Sequence, residues 1–256
     1  MAASGSRLDQ WLVTHGYAQT RNRARWLIES GQVWVRGQPC RKPSYTLPDI
    51  CQVEIHGEGL PYVGRGGLKL ERVLQTLGVD VTGLVALDIG ASTGGFVDCL
   101  LQRGAQRVYA LDVGVEQLAP KLREDARVIA LEGRNVRTFQ AAELPEAVDL
   151  ITIDVSFISL TLVFPLLPPF LQPLGRVVAL VKPQFEVGAD HVGRGGIVRD
   201  PRCRELALRR VAIVAEDAGF RVLQTVDAPR SHPHGNREIF IDLGWATEQA
   251  AVATGQ

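Results

Sequence analysis

Two lysines and two carboxylates fall at the ends of apolar runs, where a parallel sheet would gather them. Asp154 follows Leu150-Ile151-Thr152-Ile153, and Lys182 follows Val178-Ala179-Leu180-Val181. Glu238 begins the last apolar run, and Lys69 lies on an amphipathic stretch that precedes the first. Side chains just past the carboxyl ends of parallel strands point into the ligand crevice of such sheets. Alone, Lys69 reads as a cation on a solvated helix face, and only its partners give it weight. Residues 84–96, LVALDIGASTGGF, announce a nucleotide-like ligand. An apolar run ends at Asp88, and the turn Gly90-Ala91-Ser92-Thr93-Gly94-Gly95 lets backbone approach a ligand closely before Phe96 opens a helix. Asp112 lies 24 residues after Asp88, near the offset of about 20 at which a carboxylate meets a ribose hydroxyl. The spacing is G-x-x-x-G-G, not the G-x-G-x-x-G of nicotinamide enzymes, so hydride transfer is the disfavoured chemistry.

These groups need a sheet to hold them. Apolar runs recur at 108–111, 127–131, 148–153 and 176–181, with helical stretches between most of them, which predicts parallel strands. A helix closes over 211–219. The runs 222–226 and 238–243 follow with too little chain between them for a helical crossover, so an antiparallel hairpin with connector 227–237 is expected. That arrangement is the one expected of an S-adenosylmethionine-dependent methyltransferase. The 256 residues, 46% hydrophobic, allow one large domain and a small one, and the net charge of zero leaves any basic surface local. Cys40, Cys51, Cys99 and Cys203 form no C-x-x-C pair, as expected of reduced thiols in a cytoplasm. The first ten residues lack a signal-peptide core, and the run 160–171 is broken by Pro165, Pro168 and Pro169. A soluble cytoplasmic protein without stable membrane association is expected.

Residues 7–30 read as two short amphipathic helices, with Gly16 breaking the first and Thr20 capping the second. Strands follow at 32–35 and 51–55. Seven basic residues stand against five acidic ones up to residue 58, a balance that fits a solvated face as well as an RNA surface. The order of residues says more. R-L-D-x-x-L, then T-R-x-x-A-x-x-L-I-x-x-G-x-V-x-V-x-G, resembles the S4 RNA-binding domain. The resemblance implies Arg7, Arg21 and Arg25, with Arg65 at the end of the linker, as contacts to RNA phosphates.

Lys69, Asp154, Lys182 and Glu238 resemble the Lys-Asp-Lys-Glu tetrad of FtsJ-type ribose 2′-O-methyltransferases. The whole chain resembles the TlyA (haemolysin A-like) family through GRGGLKL, DIGASTGGF, DVSFISL, VKPQFEVG, GGIVRD and GNREIF. The implied fold is a Rossmann-like class I methyltransferase: a mostly parallel seven-stranded α/β sheet ending in an antiparallel hairpin, behind a small α+β S4 domain. The expected boundaries are 1–58 for the S4 domain, 59–65 for a linker, 66–244 for the methyltransferase and 245–256 for a tail. The implied activity is methylation of a cytidine 2′-hydroxyl in ribosomal RNA, free or in a subunit. The short tail leans toward large-subunit RNA. S-adenosylmethionine would be held by Asp88, by Gly90 to Phe96 and by Asp112 on the ribose, with Val113 and Asn135 as adenine contacts. Lys182 would be the base or oxyanion-side cation, Lys69 would steer the hydroxyl, and the carboxylates would hold the lysines. Phe157 reads equally as a contact to the acceptor nucleotide or as plain core. The glycine-rich segment 188–196 reads as a mobile loop able to close over RNA. The nearby arginines (194, 199, 202, 204, 209 and 210) read as an extension of the RNA track or as a helix's outer face. His232 and His234 lack a third ligand, so no metal is expected. A non-catalytic RNA-binding protein would not need the tetrad, and a membrane-active haemolysin would need an amphipathic or spanning segment that the chain lacks. The sequence leaves the oligomeric state open.

Overall fold

The computed structural model describes residues 5–18, 20–48, 52–56, 61–230 and 235–245. Cys51, the His232 and His234 pair, residues 59 and 60 of the expected linker and the tail after Trp245 lie outside the described residues. The chain divides into two compact units, Met1–Arg65 and Gly66–Gln256.

In the first unit, helices α1 (Leu8–Thr14) and α2 (Arg21–Glu29) bury Leu8, Leu12, Leu27 and Ile28 against Val33, Val35 and Leu47. Thr20 caps α2 by accepting from the Arg23 amide, which satisfies one of the orphan donors of the first turn. Strands β1 (Val33–Val35), β2 (Gln38–Pro39) and β3 (Val53–Ile55) form an antiparallel sheet in the order β2-β1-β3. Asp9 is fully buried in α1 and held from both sides by Arg7 at 2.9 Å and Arg21 at 3.2 Å.

The second unit opens with α3 (Arg65–Leu77), whose Leu70, Val73, Leu74 and Leu77 form a buried stripe. Gly78, at a φ of +63°, ends that helix. Then come β4 (Val85–Ile89), α4 (Gly95–Gln102), β5 (Arg107–Asp112), the single turn α5 (Pro120–Arg123), β6 (Val128–Glu132) and β7 (Val148–Ile153). Strand β8 (Leu171–Val181), the turn α6 (Pro183–Glu186), helix α7 (Pro201–Asp217) and strands β9 (Phe220–Asp227) and β10 (Ile239–Trp245) complete it. The seven strands lie in the order β6-β5-β4-β7-β8-β10-β9, with β10 alone running against the direction of the other six. This is the expected mostly parallel sheet with its terminal hairpin. Strand β4 is buried along its whole length, as a central parallel strand covered on both faces must be. One face packs Leu87, Tyr109, Ile151 and Val177 against Phe164, Phe170, Val211 and Ala215.

Two elements differ from expectation. Strand β8 begins five residues early, at Leu171, and pairs with Val148 before a register shift. The connection from β7 contains proline-punctuated 3-10 turns where a crossover helix would be usual, because Pro165, Pro168 and Pro169 cannot sit inside a longer helix.

Candidate active site

Strand register brings the acid–base residues to one edge. Ile239 of β10 pairs with Val181 of β8, and Ile153 of β7 pairs with Ala179. Carrying both ladders past the strand ends sets Glu238 opposite Lys182 and Ser156 beside it. The Lys182 ammonium lies 2.6 Å from Asp154 Oδ1 and donates a hydrogen bond to Ser156 Oγ at 3.0 Å. Its contact with Asp154 is a charge pair without hydrogen-bond direction, since Oδ1 receives no directed bond. Lys69, near the start of α3, donates to Glu238 Oε2 at 2.6 Å. The four residues thus resolve into two lysine–carboxylate pairs, all largely shielded from water. Lower local dielectric makes such pairs stronger than exposed ones.

Between β4 and α4 the turn takes conformations that demand its composition. Gly90 and Gly94 have φ of +88° and +93°, and Ser92, although not glycine, also has a positive φ of +48°. A Cβ on Gly90 would lie 2.6 Å from the Asp154 carbonyl oxygen, and one on Gly94 would lie 2.2 Å from Leu122 Cδ1. No side chain caps α4, so its first amides face the turn. Below it, Asp88 is buried and accepts from Thr152 Oγ1 at 2.7 Å through one oxygen. The other oxygen has no partner among the described residues. Burial pushes the Asp88 carboxyl up to about 7; the Thr152 hydrogen bond opposes this, and the charges of Asp154 and Asp112 reinforce it.

Asp112, at the end of β5, accepts from the Ser92 amide at 2.8 Å and the Gly114 amide at 2.7 Å. It therefore ties the glycine turn to the next loop and caps no helix. The following Val113 is 68% exposed, an apolar surface beside that carboxylate. Asn135 is exposed, and its Oδ1 accepts the Arg137 amide at 3.0 Å, which gives it a local turn-forming task. The uncapped helix start, suited to a carboxylate, the unpartnered Asp88 oxygen, suited to an ammonium, and Asp112 fit a ligand with a zwitterionic amino acid end and a ribose. Those are the features of S-adenosylmethionine.

On the other side of Lys182, the reading of Phe157 as core is overturned. Its ring is 92% exposed, at a φ of +65°, and lies 5.2 Å from the ring of Phe185. The segment 188–196 is also tied more than its composition suggests. Asn236 accepts the Val198 amide at 2.8 Å and donates to the Gly196 carbonyl at 2.8 Å. Of the arginines around it, Arg204 pairs with Asp227 and Arg210 donates to the Glu186 carbonyl, whereas Arg194, Arg199, Arg202 and Arg209 are exposed.

The arginines expected at RNA all carry carboxylate partners. Arg7 and Arg21 hold Asp9, and Arg25 and Arg65 reach Glu29 at 3.6 and 3.7 Å. The Arg7 hydrogen bonds lower the Asp9 carboxyl to about 2, against its burial and with help from Arg21. Arg21 therefore has a structural task that sequence alone did not reveal. Thr152, Ser156, Glu186 and Asn236 were missed as well. Each stands within or beside a quoted motif, but only the folded chain shows what it fastens. Among the described residues no group of side chains could hold a metal ion.

The model of the FtsJ-like methyltransferase family matches residues 62–245, and that of the S4 domain matches residues 6–49. The 16S/23S rRNA (cytidine-2′-O)-methyltransferase TlyA of Mycobacterium tuberculosis is 40% identical over 254 residues, 99% of this chain and 95% of that protein. The 23S rRNA (cytidine-2′-O)-methyltransferase TlyA of Campylobacter jejuni is 32% identical over 241 residues, covering 86% and 92%. A solved structure of a candidate hemolysin from Streptococcus thermophilus superposes with a TM-score of 0.75 at 41% identity, covering 96% of this chain and 90% of that one. The chain belongs to the TlyA (hemolysin A) family of FtsJ-like methyltransferases with an N-terminal S4 domain, and its methyl donor is S-adenosylmethionine.

Proposed function

We propose that this enzyme methylates the 2′-hydroxyl of a cytidine in ribosomal RNA, with large-subunit RNA as the first substrate to test. The observation that carries the reading is the pair of lysine–carboxylate contacts, Lys182 with Asp154 and Lys69 with Glu238, beyond the glycine turn. The names of the relatives support the nucleotide and the carrier. When bound, the donor supplies an electrophilic methyl group for in-line displacement, so alignment of the acceptor provides much of the acceleration. A ribose hydroxyl attacks only as its proton leaves, and the free amine of lysine, with a pKa near 10.4, needs a tuned setting to take it at neutral pH. Lys182 serves as base or oxyanion-side cation, with Asp154 and Ser156 fixing the direction of its nitrogen. Lys69, held by Glu238, steers the hydroxyl.

Asp88 and the turn from Gly90 to Phe96 hold the methionine end, Asp112 holds the ribose, and Val113 and Asn135 flank the adenine. Phe157 packs on the acceptor nucleotide. Arg7, Arg21, Arg25 and Arg65 meet RNA phosphates, Arg25 and Arg65 by exchanging Glu29, and Arg7 and Arg21 through the exposed part of each guanidinium while it keeps hold of Asp9. We take residues 1–58, 59–65 and 66–244 as S4 domain, linker and methyltransferase domain. The site of action is the cytoplasm, where ribosomes are made, and among the described residues no helix is long and apolar enough to cross a membrane.

The test is Lys182→Ala, assayed for transfer of a tritiated methyl group to ribosomal RNA. Nearly all transfer should be lost while S-adenosylmethionine still binds, and retained turnover would refute the assignment. Mapping 2′-O-methyl sites on both ribosomal RNAs, with and without the protein, identifies the nucleotide. Unchanged maps would refute the substrate.

A further inference from the structure

We infer that Glu186 is a positioning residue that fastens the acceptor side of the site, an inference resting on the proposed role of Lys182. Glu186 ends α6, the single turn that begins directly after Lys182. It is 3% exposed, yet no cation reaches its carboxylate within ion-pair distance among the described residues. Both oxygens instead face the segment that follows Asp154. Oε1 accepts the Leu160 amide at 2.9 Å, and Oε2 accepts the Ser159 hydroxyl at 2.5 Å. Its own carbonyl accepts from Arg210 at 3.1 Å, so α7 holds the anchor from behind. A buried carboxylate with no cation in ion-pair contact carries a desolvation cost: burial pushes the Glu186 carboxyl up, and the Ser159 and Leu160 hydrogen bonds and the charge of Arg210 offset that only in part. A packed apolar side chain would avoid that cost but could not join the two segments.

The joined segment needs such a fastening. At its start the Asp154 amide donates to the Ile89 carbonyl at 3.0 Å, and in its middle Ser156 meets Lys182 at 3.0 Å. Between Ser156 and the Glu186 contacts lies Phe157 at a φ of +65°, beside Phe185, the residue before Glu186. A bulky residue keeps that conformation only where its surroundings over-determine it. Glu186 closes the far end of the segment, and so fixes Ser156 against Lys182 and holds the two rings together. Its action on the reacting atoms passes through Lys182 and Ser156.

The experiment compares Glu186→Ala, Glu186→Gln, Ser159→Ala and Lys182→Ala in the full-length protein. Readouts are kcat and KM for ribosomal RNA and calorimetric binding of S-adenosylmethionine. Glu186→Ala should lower kcat by about 10- to 100-fold, the scale of a misplacement near 1 Å, with donor affinity unchanged. Glu186→Gln keeps an acceptor for the Leu160 amide and should recover at least about threefold of that loss. A merely structural residue would weaken donor binding and lower kcat together, or show no recovery with Gln, and either result overturns the inference. Wild-type kcat in Glu186→Ala also overturns it. If Glu186→Ala does not fold, Ser159→Ala decides: a several-fold loss of kcat alone supports the fastening, and an unchanged kcat refutes it. Full turnover in Lys182→Ala would instead bring down the catalytic assignment, which separates the two failures.

Discussion

At Asp88 the fold holds a carboxyl whose proton leaves only near pH 7, because burial disfavours the charge and Thr152 offsets that only in part. In the unfolded chain an aspartate titrates near 3.9. Between those values the folded state binds a proton that the unfolded state does not, so stability falls as pH rises from about 4 to about 7. Asp88→Asn should remove this contribution. The difference in unfolding free energy between wild type and variant, measured in urea without cofactor, is expected to slope across that window and flatten above it. A flat difference throughout would mean that Asp88 titrates normally. Asp9 works in the opposite sense. Its carboxyl is held down to about 2 by Arg7 and Arg21, so its stabilisation is present above the ordinary value near 3.8 and is lost as pH falls toward 2. Asp9→Asn should therefore cost stability at neutral pH and far less at pH 2, read from thermal melts.

Among the elements, the turn between β4 and α4 was the most legible in sequence, because Gly90 and Gly94 occupy backbone positions where a side chain has no room. Gly90→Ala combines a positive φ with a clash against the Asp154 carbonyl oxygen, and it should destabilise the fold by about 1–3 kcal/mol. It should also weaken donor binding measurably by calorimetry, and wild-type values for both would refute the geometry. The apolar runs at β4, β5 and β7 were equally plain, since buried parallel strands write themselves as continuous aliphatic stretches. Less could be read between the strands. The early start of β8 depends on pairing with Val148, a long-range contact with no local signal. The restraint on residues 193–198 combines backbone bonds among Gly193, Gly196 and Ile197 with one asparagine some forty positions away, so glycine content alone suggested more freedom than the fold allows. Asn236→Ala should release its part of that restraint and raise the hydrogen-exchange rate of the Val198 amide, and unchanged protection would refute the tie.

Across the whole chain the formal charge cancels, so attraction to a polyanion must come from local groups. Arg25 and Arg65 reach the partly exposed Glu29 at 3.6 and 3.7 Å, and such surface pairs are weak enough to be exchanged for phosphate, whereas Arg7 and Arg21 hold the buried Asp9. Arg25→Gln leaves Asp9 untouched and so separates RNA contact from folding better than a change at Arg21. It should reduce the salt dependence of RNA binding by about 0.7–0.9 in the log–log slope, the value for one phosphate contact, while donor affinity stays the same. An unchanged slope would remove Arg25 from the contact surface. Phe157 holds a left-handed backbone conformation with its side chain in solvent. Its backbone strain is of order 1–3 kcal/mol, glycine in its place forfeits only about 0.5–1 kcal/mol of chain entropy, and the exposed ring contributes almost no buried area. Phe157→Gly should thus melt at a higher temperature than the wild type while methylating RNA more slowly. That would mark residue 157 as a position where selection for turnover has held the protein below the thermal tolerance its own fold permits.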